Sequence, residues 1–422
     1  MPLLGCIADD FTGGTDLANN FVKSGFRTVQ AIGIPASMPG LEKIDAVVVA
    51  LKIRTCPVEE AVRESRAAIR WLKSIECRQF YFKYCSTFDS TPRGNIGPVI
   101  DVLLEELGIE YTIACPAFPD NGRTVYRGHL FVYDQLLSES SMRHHPLTPM
   151  KDPNIVRVLE AQTRANVDLI RLDLIRQGED MVAGEFEKHK NRPAMVSITD
   201  ATSNEDLYVL AGAAKTLKLV TGGSGLALGL GKNYGLEAGR AAKRIAPTGR
   251  RAILAGSCSR MTLKQISVAR EVFPSLRVEP ATLAAEFDAT LNKVERWVEQ
   301  RLSVPETVLI YTSGSPDEIA STQKLLGAQQ AGELCEKFLA EVARQLVDQG
   351  VSQLIVAGGE TSGAVVSKLG LNVLHIGPEI DPGVPWTLAV GNNREIALAL
   401  KSGNFGSDQF FVDAWRLLES SK

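Results

Sequence analysis

The feature of this sequence that most constrains its fold is the alternation of short apolar runs with amphipathic segments along the whole chain. Runs such as Ala46–Leu51 and Gln353–Ala357 lack the in-out alternation of a one-sided strand, which is typical of strands buried on both faces of a mostly parallel sheet. Segments of helical period lie between several of these runs. The alternation predicts an α/β fold in which helices cover the sheet.

The apolar runs predict strands in both halves of the chain. They are Leu3–Ala8, Thr28–Ile32, Ala46–Leu51, Gln79–Tyr84, Tyr111–Ala114, Met195–Thr199, Leu219–Thr221, Ala252–Ala255, Val308–Thr312, Gln353–Ala357 and Leu374–Ile376. The helix after the first strand is expected to start at Thr15 and Asp16, which are typical cap residues, and to stop at Gly25. Two further helices are expected, from about Pro57 to Ile75 and from about Ala331 to Gln349.

The chain is too long for one hydrophobic core. Single cores stop growing at roughly 250 to 300 residues, whereas this chain has 422. A basic stretch with Pro and Gly, Lys243–Arg251, interrupts the alternation before a fresh strand begins at Ala252. We therefore expect two domains, at residues 1–245 and 246–422, each with a mostly parallel sheet flanked by helices.

Composition and charge limit the partners and the cellular location. The formal net charge is −3, from 46 Lys and Arg against 49 Asp and Glu, and no block of like charge stands out. Neither nucleic acid nor a membrane is therefore an expected partner.

The seven cysteines lie far apart without a C-x-x-C pair, and the N-terminus does not have the pattern of a signal peptide. A cytoplasmic protein is the expectation. The oligomeric state is left open, with a homodimer as one candidate.

Polar residues follow the predicted strands of the first domain, at the carboxyl ends where open α/β sheets bind ligands. They include Asp9 and Asp10 after the first strand, Lys83 at the end of a later one, and Arg93 and Arg123 in the segments beyond. A carboxylate can orient or deprotonate a substrate hydroxyl, and Lys or Arg can hold a substrate carboxylate. For each of the three basic residues, a solvated surface role is an equal alternative.

The two aspartates also have a structural alternative. Loop aspartates often cap the following helix or tie a turn. Because Thr15 and Asp16 lie closer to the expected helix start and are better caps, we favour a functional role for Asp9 and Asp10.

The second domain has a different pattern, with four turns rich in glycine and small hydroxyl residues. They are Gly256–Ser259, Thr312–Ser315, Ala357–Gly363 and Lys401–Gly406. Glycine lets the backbone approach a phosphate, hydroxyls add donors, and a helix N-terminus supplies amide groups. One such turn alone would indicate only a tight connection, but four in one domain favour nucleotide-phosphate binding.

Several familiar site types are excluded by spacing. The Walker A motif and the dinucleotide fingerprint G-x-G-x-x-G both lack residues they need, although Gly222–Gly225 could still form a ligand loop, a hinge or a tight turn. The adjacent pair His144 and His145 lacks the spacing that places two imidazoles on one helix face. No metal site made of protein ligands is expected.

Long motifs in this order resemble the four-carbon acid sugar kinase family along nearly the whole chain. They are Ile7–Gly13, Lys83–Ser90, Asn121–Thr124, Ser141–Met150 and the glycine turns of the second domain. The resemblance implies an N-terminal acid-sugar domain, a C-terminal nucleotide domain and an active site in the cleft between them. Gly14 departs from the family pattern, which has alanine there, and we expect little effect.

The resemblance implies phosphoryl transfer from ATP, with Mg²⁺ bound through the nucleotide. The motifs look most like the branch that phosphorylates the C4 hydroxyl of 3-oxo-tetronates. In that case Asp10, or failing it Asp9, would be the base, and Lys83 is a third catalytic candidate. The candidates for binding the acid sugar are Thr12, Arg54, Ser86, Thr87, Asp89, Arg93, Asn121 and Arg123. The candidates for binding ATP are Ser257, Ser259, Gly358, Gly359, Glu360, Thr361, Ser402 and Gly403.

Two alternatives to this function stay open in the sequence. A D-threonate or D-erythronate kinase of the same family would differ only in contacts near C3 of the substrate. A non-catalytic sensor that binds an acid sugar would have no need of the glycine turns, so ATP binding separates it from a kinase.

Overall fold

The computed structural model describes residues 1–38, 40–144, 148–189, 193–239, 245, 247–301, 306–314, 318, 324, 327–391 and 394–419. Parts of three predicted segments lie outside these residues: 243, 244 and 246 of the domain break, 145–147 of the Ser141–Met150 motif, and 315 of the Thr312 turn. The chain forms two compact units, Met1–Ala242 and Lys243–Lys422. All seven cysteines are free thiols.

The first unit has eleven strands and eight α-helices among its described residues. The strands are β1 Leu4–Ala8, β2 Thr28–Ile32, β3 Ala46–Ala50, β4 Gln79–Lys83, β5 Tyr111–Cys115, β6 Arg123–Tyr126, β7 His129–Val132, β8 Gln135–Leu136, β9 Asn166–Ile170, β10 Met195–Thr199 and β11 Leu219–Gly222. The helices are α1 Phe11–Lys23, α2 Val58–Ser74, α3 Ile96–Leu107, α4 Ile155–Glu160, α5 Leu172–Ile175, α6 Glu179–His189, α7 Asn204–Ala213 and α8 Ala227–Leu230.

Eight strands of the first unit form a parallel array in the order β2-β3-β1-β4-β11-β5-β10-β9, and β6, β7 and β8 form a separate antiparallel sheet. Ala8 pairs with Ala50 of β3 and with Lys83 of β4, and Lys83 pairs with Gly222 of β11. The residues that follow these four central strands therefore lie along one edge of the sheet. β1, β3 and β4 are buried throughout, as expected for strands covered on both faces.

The second unit has seven strands and seven α-helices among its described residues. The strands are β12 Arg250–Ala255, β13 Ser275–Arg277, β14 Thr307–Tyr311, β15 Val351–Ala357, β16 Val373–Asp381, β17 Val384–Gly391 and β18 Arg394–Lys401. The helices are α9 Arg260–Ala269, α10 Pro280–Ala285, α11 Phe287–Arg301, α12 Ala328–Asp348, α13 Gly359–Lys368, α14 Phe410–Asp413 and α15 Arg416–Glu419.

The strands of the second unit are ordered β13-β14-β12-β15-β18-β17-β16, with β17 antiparallel to both of its neighbours and the other pairs parallel. Ala255 pairs with Ala357, which pairs in turn with Lys401, so the turns after β12, β15 and β18 share one edge. The fully buried Trp386 anchors the core, and its indole N–H donates to the Ala414 carbonyl at 2.9 Å. Within the described ranges, no helix is both long enough and apolar enough to cross a membrane.

The α/β class is confirmed, whereas the predicted start of the first helix is wrong. α1 begins at Phe11, because the extended Asp10 caps it and accepts a hydrogen bond from the Gly13 amide at 2.7 Å. Thr15 and Asp16 are buried inside the helix instead. The Thr15 hydroxyl donates to Gln30 Oε1 at 2.7 Å, which satisfies it without a capping role.

Gly14 also lies inside α1, where the helix approaches the sheet closely. A Cβ at this position would lie 3.0 Å from both Ala50 Cβ and Gln30 Nε2. The alanine expected from the family pattern would therefore need its neighbours to move by a few tenths of an ångström.

Gly222, the last residue of β11, is expected to tolerate no side chain. A Cβ there would overlap the carbonyl oxygen of Cys115 on the adjacent strand. We expect Gly222→Ala to lower the free energy of unfolding by about 2 kcal/mol or more. β11 is paired on both sides, so the backbone of its neighbour cannot move to make room for a side chain. Urea unfolding measures this.

Gly184 supplies the matched control, since it lies exposed in α6 with open space around it. The same substitution there should raise the free energy of unfolding by about 0.5 to 1 kcal/mol, because alanine favours helix. Equal effects at the two positions would contradict the packing argument.

Candidate functional site

Two adjacent carboxylates and one arginine form the centre of the candidate site in the first unit. Arg54 follows β3 and binds Asp9 through two hydrogen bonds, from Nε at 2.8 Å and from Nη2 at 2.7 Å. The same Nη2 lies 3.1 Å from Asp10 Oδ1. Asp9 is 5% exposed, so its carboxylate depends on this bidentate pairing in place of water.

Asp10 has a second set of partners at the start of α1. Besides the Gly13 amide on Oδ1, its Oδ2 accepts the Thr12 hydroxyl at 3.1 Å. Its side chain is 21% exposed, against 6% for Asp9. Of the two carboxylates, Asp10 is therefore the more accessible to an incoming ligand. It also caps α1, a role that the sequence had led us to expect of Thr15 and Asp16.

Lys83 approaches the carboxylates from the end of β4. It is buried, its Nζ donates to the Tyr84 carbonyl at 2.8 Å, and it packs over Gly13, where a Cβ would lie 3.1 Å from Nζ. The positive charges of Lys83 and Arg54 thus both act on Asp10.

The two carboxylates have pKa values shifted in opposite directions. Burial raises the pKa of Asp9, and the charge and hydrogen bonds of Arg54 oppose this rise without cancelling it. Burial acts on Asp10 in the same direction, but Arg54, Lys83, the Gly13 amide and the Thr12 hydroxyl together outweigh it and lower the pKa of Asp10. Asp10 is therefore ionised at neutral pH.

The turn after β4 adds hydroxyls and a third carboxylate. The Thr87 hydroxyl donates to Asp89 Oδ1, and Ser86 and Asp89 are both buried. Between them Phe88 has φ 54°, in the left-handed region that non-glycine residues seldom adopt. Such backbone strain is found most often at functional sites.

A small cavity joins this turn to the carboxylate pair. It has room for about one water molecule and is lined by Asp9, Ile53, Arg54, Phe82, Asp89, Asn95, Ile96 and Val99. Asp89 therefore belongs to the same cluster as Asp9 and Arg54.

Asn95 is a residue of this cluster that the sequence analysis missed. It precedes α3, and its Nδ2 donates to the carbonyls of Ile53 at 2.7 Å and Cys56 at 2.9 Å, which fixes the turn that carries Arg54. The available signal was an asparagine at a helix start, which indicates a cap; here the side chain makes no capping bond.

The remaining sugar-side candidates follow β5 or lie in the turn before α3. Arg123 begins β6 and donates from Nη1 to the Asn121 carbonyl, with its guanidinium 5.8 Å from the Tyr133 ring centroid. These residues follow β5 and form a second polar group at the same sheet edge. Arg93 lies in an exposed turn.

Three glycine turns of the second unit converge. A Cβ at Gly403 would lie 2.5 Å from Ser257 Oγ and 3.1 Å from Ser259 Oγ, and a Cβ at Gly358 would lie 2.9 Å from Thr361 Oγ1. Ser259 caps α9 and donates its hydroxyl to the Gly403 carbonyl at 2.6 Å. Glycine is required at these positions because any side chain would push the turns apart.

The N-terminus of α13 faces this convergence. Gly358 precedes the helix with φ 126°, and no side chain caps it. The first amide groups of a helix have no acceptor within it, and the helix dipole favours an anion there, so this end suits a phosphate. Gly359 and the exposed Glu360 occupy the first turn.

Lys401 is the second residue that the sequence analysis passed over as a site candidate, although it stands next to Ser402 in one of the four turns. It ends β18 and is fully buried. Its Nζ donates to the carbonyls of Ser402 and Gly403, both at 2.9 Å. A lysine in a glycine-rich turn was the signal that could have found it.

In the described part of the chain, no group of three His, Cys, Asp or Glu side chains is arranged to hold a metal ion.

Removing Arg54 should destabilise the first unit in a pH-dependent way. We expect Arg54→Met to lower the free energy of unfolding at pH 7 by about 3 kcal/mol, because it leaves Asp9 buried without its partner. In the wild type, the stabilisation of Asp10 by Arg54 is present above the ordinary carboxyl pKa of about 4 and is lost as the pH falls through the lowered pKa. In the variant, both carboxyls should protonate at higher pH. The difference in free energy of unfolding between the wild type and the variant should therefore narrow below about pH 5.

Arg27→Met provides the comparison, because Arg27 also binds an aspartate, Asp45, in bidentate fashion but is 55% exposed. Its removal should cost less than about 1 kcal/mol. Urea unfolding of both variants from pH 4 to pH 8 measures the two effects, and a pH-independent loss for Arg54→Met would contradict the charge argument.

Comparison with known proteins places this geometry in a family. Residues 4–230 match the model of a sugar-binding N-terminal domain, and residues 252–411 match that of a nucleotide-binding C-terminal domain. Proteins named 3-oxo-tetronate kinase from Burkholderia multivorans and Pseudomonas savastanoi are each 52% identical to this chain, over 100% and 99% of it and 98% and 97% of their own lengths.

A solved structure from Salmonella typhimurium LT2, described as a candidate tRNA synthase, is 40% identical, has a TM-score of 0.86 and is covered to 98% in both chains. Identity at this level over the full length of the curated relatives shows common descent. The chain belongs to the four-carbon acid sugar kinase family.

Proposed function

We propose that this protein is an ATP-dependent kinase that transfers the γ-phosphoryl group to the C4 hydroxyl of a 3-oxo-tetronate and releases ADP. The observation that carries the proposal is the full-length identity of 50 to 52% with several 3-oxo-tetronate kinases. The ionised Asp10, whose charged form Arg54 and Lys83 both favour, supports it. Phosphoryl transfer needs a hydroxyl to be oriented and charge to be neutralised more than it needs covalent chemistry.

Asp10 is the proposed acceptor of the C4 hydroxyl proton. Its Oδ2 is bonded to the Thr12 hydroxyl, which leaves a further lone pair for a substrate hydroxyl. Both oxygens of Asp9 accept from the guanidinium of Arg54, and its side chain is only 6% exposed, against 21% for Asp10. We therefore assign Asp9 the task of positioning Arg54, which in turn keeps Asp10 ionised.

The acid sugar is proposed to bind over the end of β4 and its neighbours. Lys83 would stabilise negative charge on the reacting groups, and Arg123 would hold the substrate carboxylate by a two-pronged hydrogen bond. Ser86, Thr87, Asp89 and Asn121 would bond the substrate hydroxyls. Arg93, in its exposed turn, would act at the rim of the site.

The glycine turns of the second unit are proposed to hold the ATP phosphates. The amide groups at the start of α13, from Gly359 to Thr361, and the hydroxyls of Ser257 and Ser402 are donors of the kind that phosphate oxygens accept. Ser259 would act by holding the turns together, because its hydroxyl donates to the Gly403 carbonyl. Mg²⁺ carried by the nucleotide would neutralise part of the phosphate charge.

The other functions have weaker support. A sensor would not need a nucleotide-binding domain, and the curated relatives are kinases. A tRNA substrate would require a basic surface, whereas the formal net charge of this chain is −3. D-threonate and D-erythronate stay as alternative acceptors, since they differ from 3-oxo-tetronate only at C3.

A cytoplasmic location and a homodimer complete the proposal. Seven free thiols agree with a reducing compartment. Light scattering on the purified protein tests the dimer.

Asp10→Asn separates the capping role of Asp10 from its proposed role as a base. Asparagine caps a helix about as well as aspartate does, so the loss of free energy of unfolding should stay below about 1 kcal/mol. A neutral amide cannot accept the proton, so we expect kcat to fall by about 10²- to 10⁴-fold.

ATP affinity should change little in this variant, because Asp10 lies in the sugar-binding unit. Steady-state kinetics with a thermal melt as the folding control measure these quantities. Retention of full turnover by folded Asp10→Asn would rule Asp10 out as the base.

Substrate choice is tested by ADP release with Mg-ATP across 3-oxo-tetronates, threonates and erythronates of both hands. We expect the highest kcat/KM with a 3-oxo acid. Preference for a threonate or an erythronate would move the protein to a sister activity. No turnover with any of these acids, in a preparation that binds ATP, would contradict the proposed acceptor class.

A further inference from the structure

Lys401 is a buried cation that the mechanism above does not use. Its Nζ donates to the carbonyls of Ser402 and Gly403 at 2.9 Å, to the Phe405 carbonyl at 3.1 Å and to the Thr262 hydroxyl at 3.1 Å. The side chain is fully buried. An ammonium group has three protons, so these four oxygens take up its entire bonding capacity.

Each of the four oxygens bonded to this ammonium group belongs to a neutral group. From α9, Thr262 is bonded to it and Gln265 donates to the Phe405 carbonyl. Ala357 and Gly358 pair with the Lys401 backbone, and the other bonded oxygens are carbonyls of the turn after β18. Burial alone lowers the pKa of Lys401 to about 7, with no carboxylate of the described residues contributing. Half of the charge is therefore present near neutral pH.

The hydrogen bonds of Lys401 determine which way the turn after β18 faces. They draw the carbonyls of Ser402, Gly403 and Phe405 inward, and the Gly403 carbonyl also accepts the hydroxyls of Ser259 and Thr262 at 2.6 Å and 2.8 Å. In a trans peptide the N–H points opposite to the C=O. The amide groups that follow these carbonyls therefore face away from the lysine.

We propose that Lys401 is a positioning residue for the nucleotide phosphates. Its ammonium group holds the turn after β18 so that the amide groups point away from the lysine, and it adds a positive charge behind this turn. The inference rests on the proposed binding of ATP phosphates at the glycine turns. Gly403 links Lys401 to the other glycine turns. Its carbonyl accepts from Lys401, Ser259 and Thr262, and its Cα lies against Ser257 and Ser259.

Binding of a polyphosphate should then be linked to protonation of Lys401. An anion near the ammonium group favours its charged form, so the bound protein has a higher pKa at Lys401 than the free protein. Nucleotide binding near pH 7 should therefore take up part of a proton. Affinity for nucleotide should be highest below the free-state pKa and should fall as the pH rises above about 7.

The test is isothermal titration calorimetry of MgADP binding to the full chain at pH 6, 7 and 8.5, in buffers of different ionisation enthalpy that count the protons exchanged. We expect Lys401→Met to bind MgADP about tenfold more weakly than wild type at pH 6, because a charged partner of the phosphates is lost. The difference in MgADP affinity between the wild type and the variant should shrink at pH 8.5. At pH 7 the variant should take up fewer protons on binding than the wild type does.

Lys368→Met is the matched control. Lys368 lies at the far end of α13 from the Gly358 turn, paired with Glu341. This variant should match wild type in affinity and in proton count, since its charge lies away from the turns.

Equal affinity and equal proton uptake by wild type and Lys401→Met would overturn the inference while leaving the proposed function intact. Failure of the wild type itself to bind MgADP would overturn both. If Lys401→Met does not fold, Thr262→Val removes one acceptor of the ammonium group and should move proton uptake to lower pH; an unmoved profile would count against Lys401.

Discussion

The bidentate pairing of Arg54 with Asp9 is the interaction on which the first unit depends. A fully buried strand ends here in two consecutive carboxylates, and neither could remain charged in such a place without a fixed cation. Arg54 compensates both: it satisfies Asp9 with two hydrogen bonds and reaches Asp10 with a third contact. Asp10 in turn starts α1, so the arginine, the catalytic candidate and the helix are held by one network.

The candidate sites of the two units are built from different chemical groups. The first places formal charges, Arg54 and Lys83, beside carboxylates at the end of a sheet. The second brings together glycine turns, small hydroxyls and a helix terminus, and the buried ammonium group of Lys401 is bonded to the turn after β18. A substrate that carries a single carboxylate can be oriented by point charges, whereas a polyphosphate has many oxygens and suits a surface of amides.

Most central strands and the polar edge could be predicted from the sequence, because parallel strands covered on both faces are apolar throughout and end abruptly in polar residues. The strands around Ala46 and Phe80 are clear cases. β17 and β18 were missed because they form an antiparallel meander in which Pro385 and Glu395 interrupt the apolar pattern. The start of α1 was missed because it depends on a side-chain bond from Asp10 and not on the identity of later residues.

The roles of individual site residues required contacts between distant parts of the chain. Asp9 and Arg54 are separated by 45 positions, and Lys401 and Thr262 by 139. No local pattern marks either pair, since burial and charge compensation are decided only when the strands are brought into register. Sequence therefore indicated the edge at which the chemistry lies and left the pairings at that edge open.

Asn95 has a consequence for how this fold can vary in length. Its amide donates to two carbonyls that lie three residues apart. A single side chain therefore fixes the length of backbone between Ile53 and Cys56. A residue inserted or deleted in that interval would detach the arginine from both aspartates without touching any strand. The loop between β3 and α2 is therefore restricted in length by the candidate site, whereas a turn such as the one at Gly178, where a Cβ would meet open space, has no such restriction.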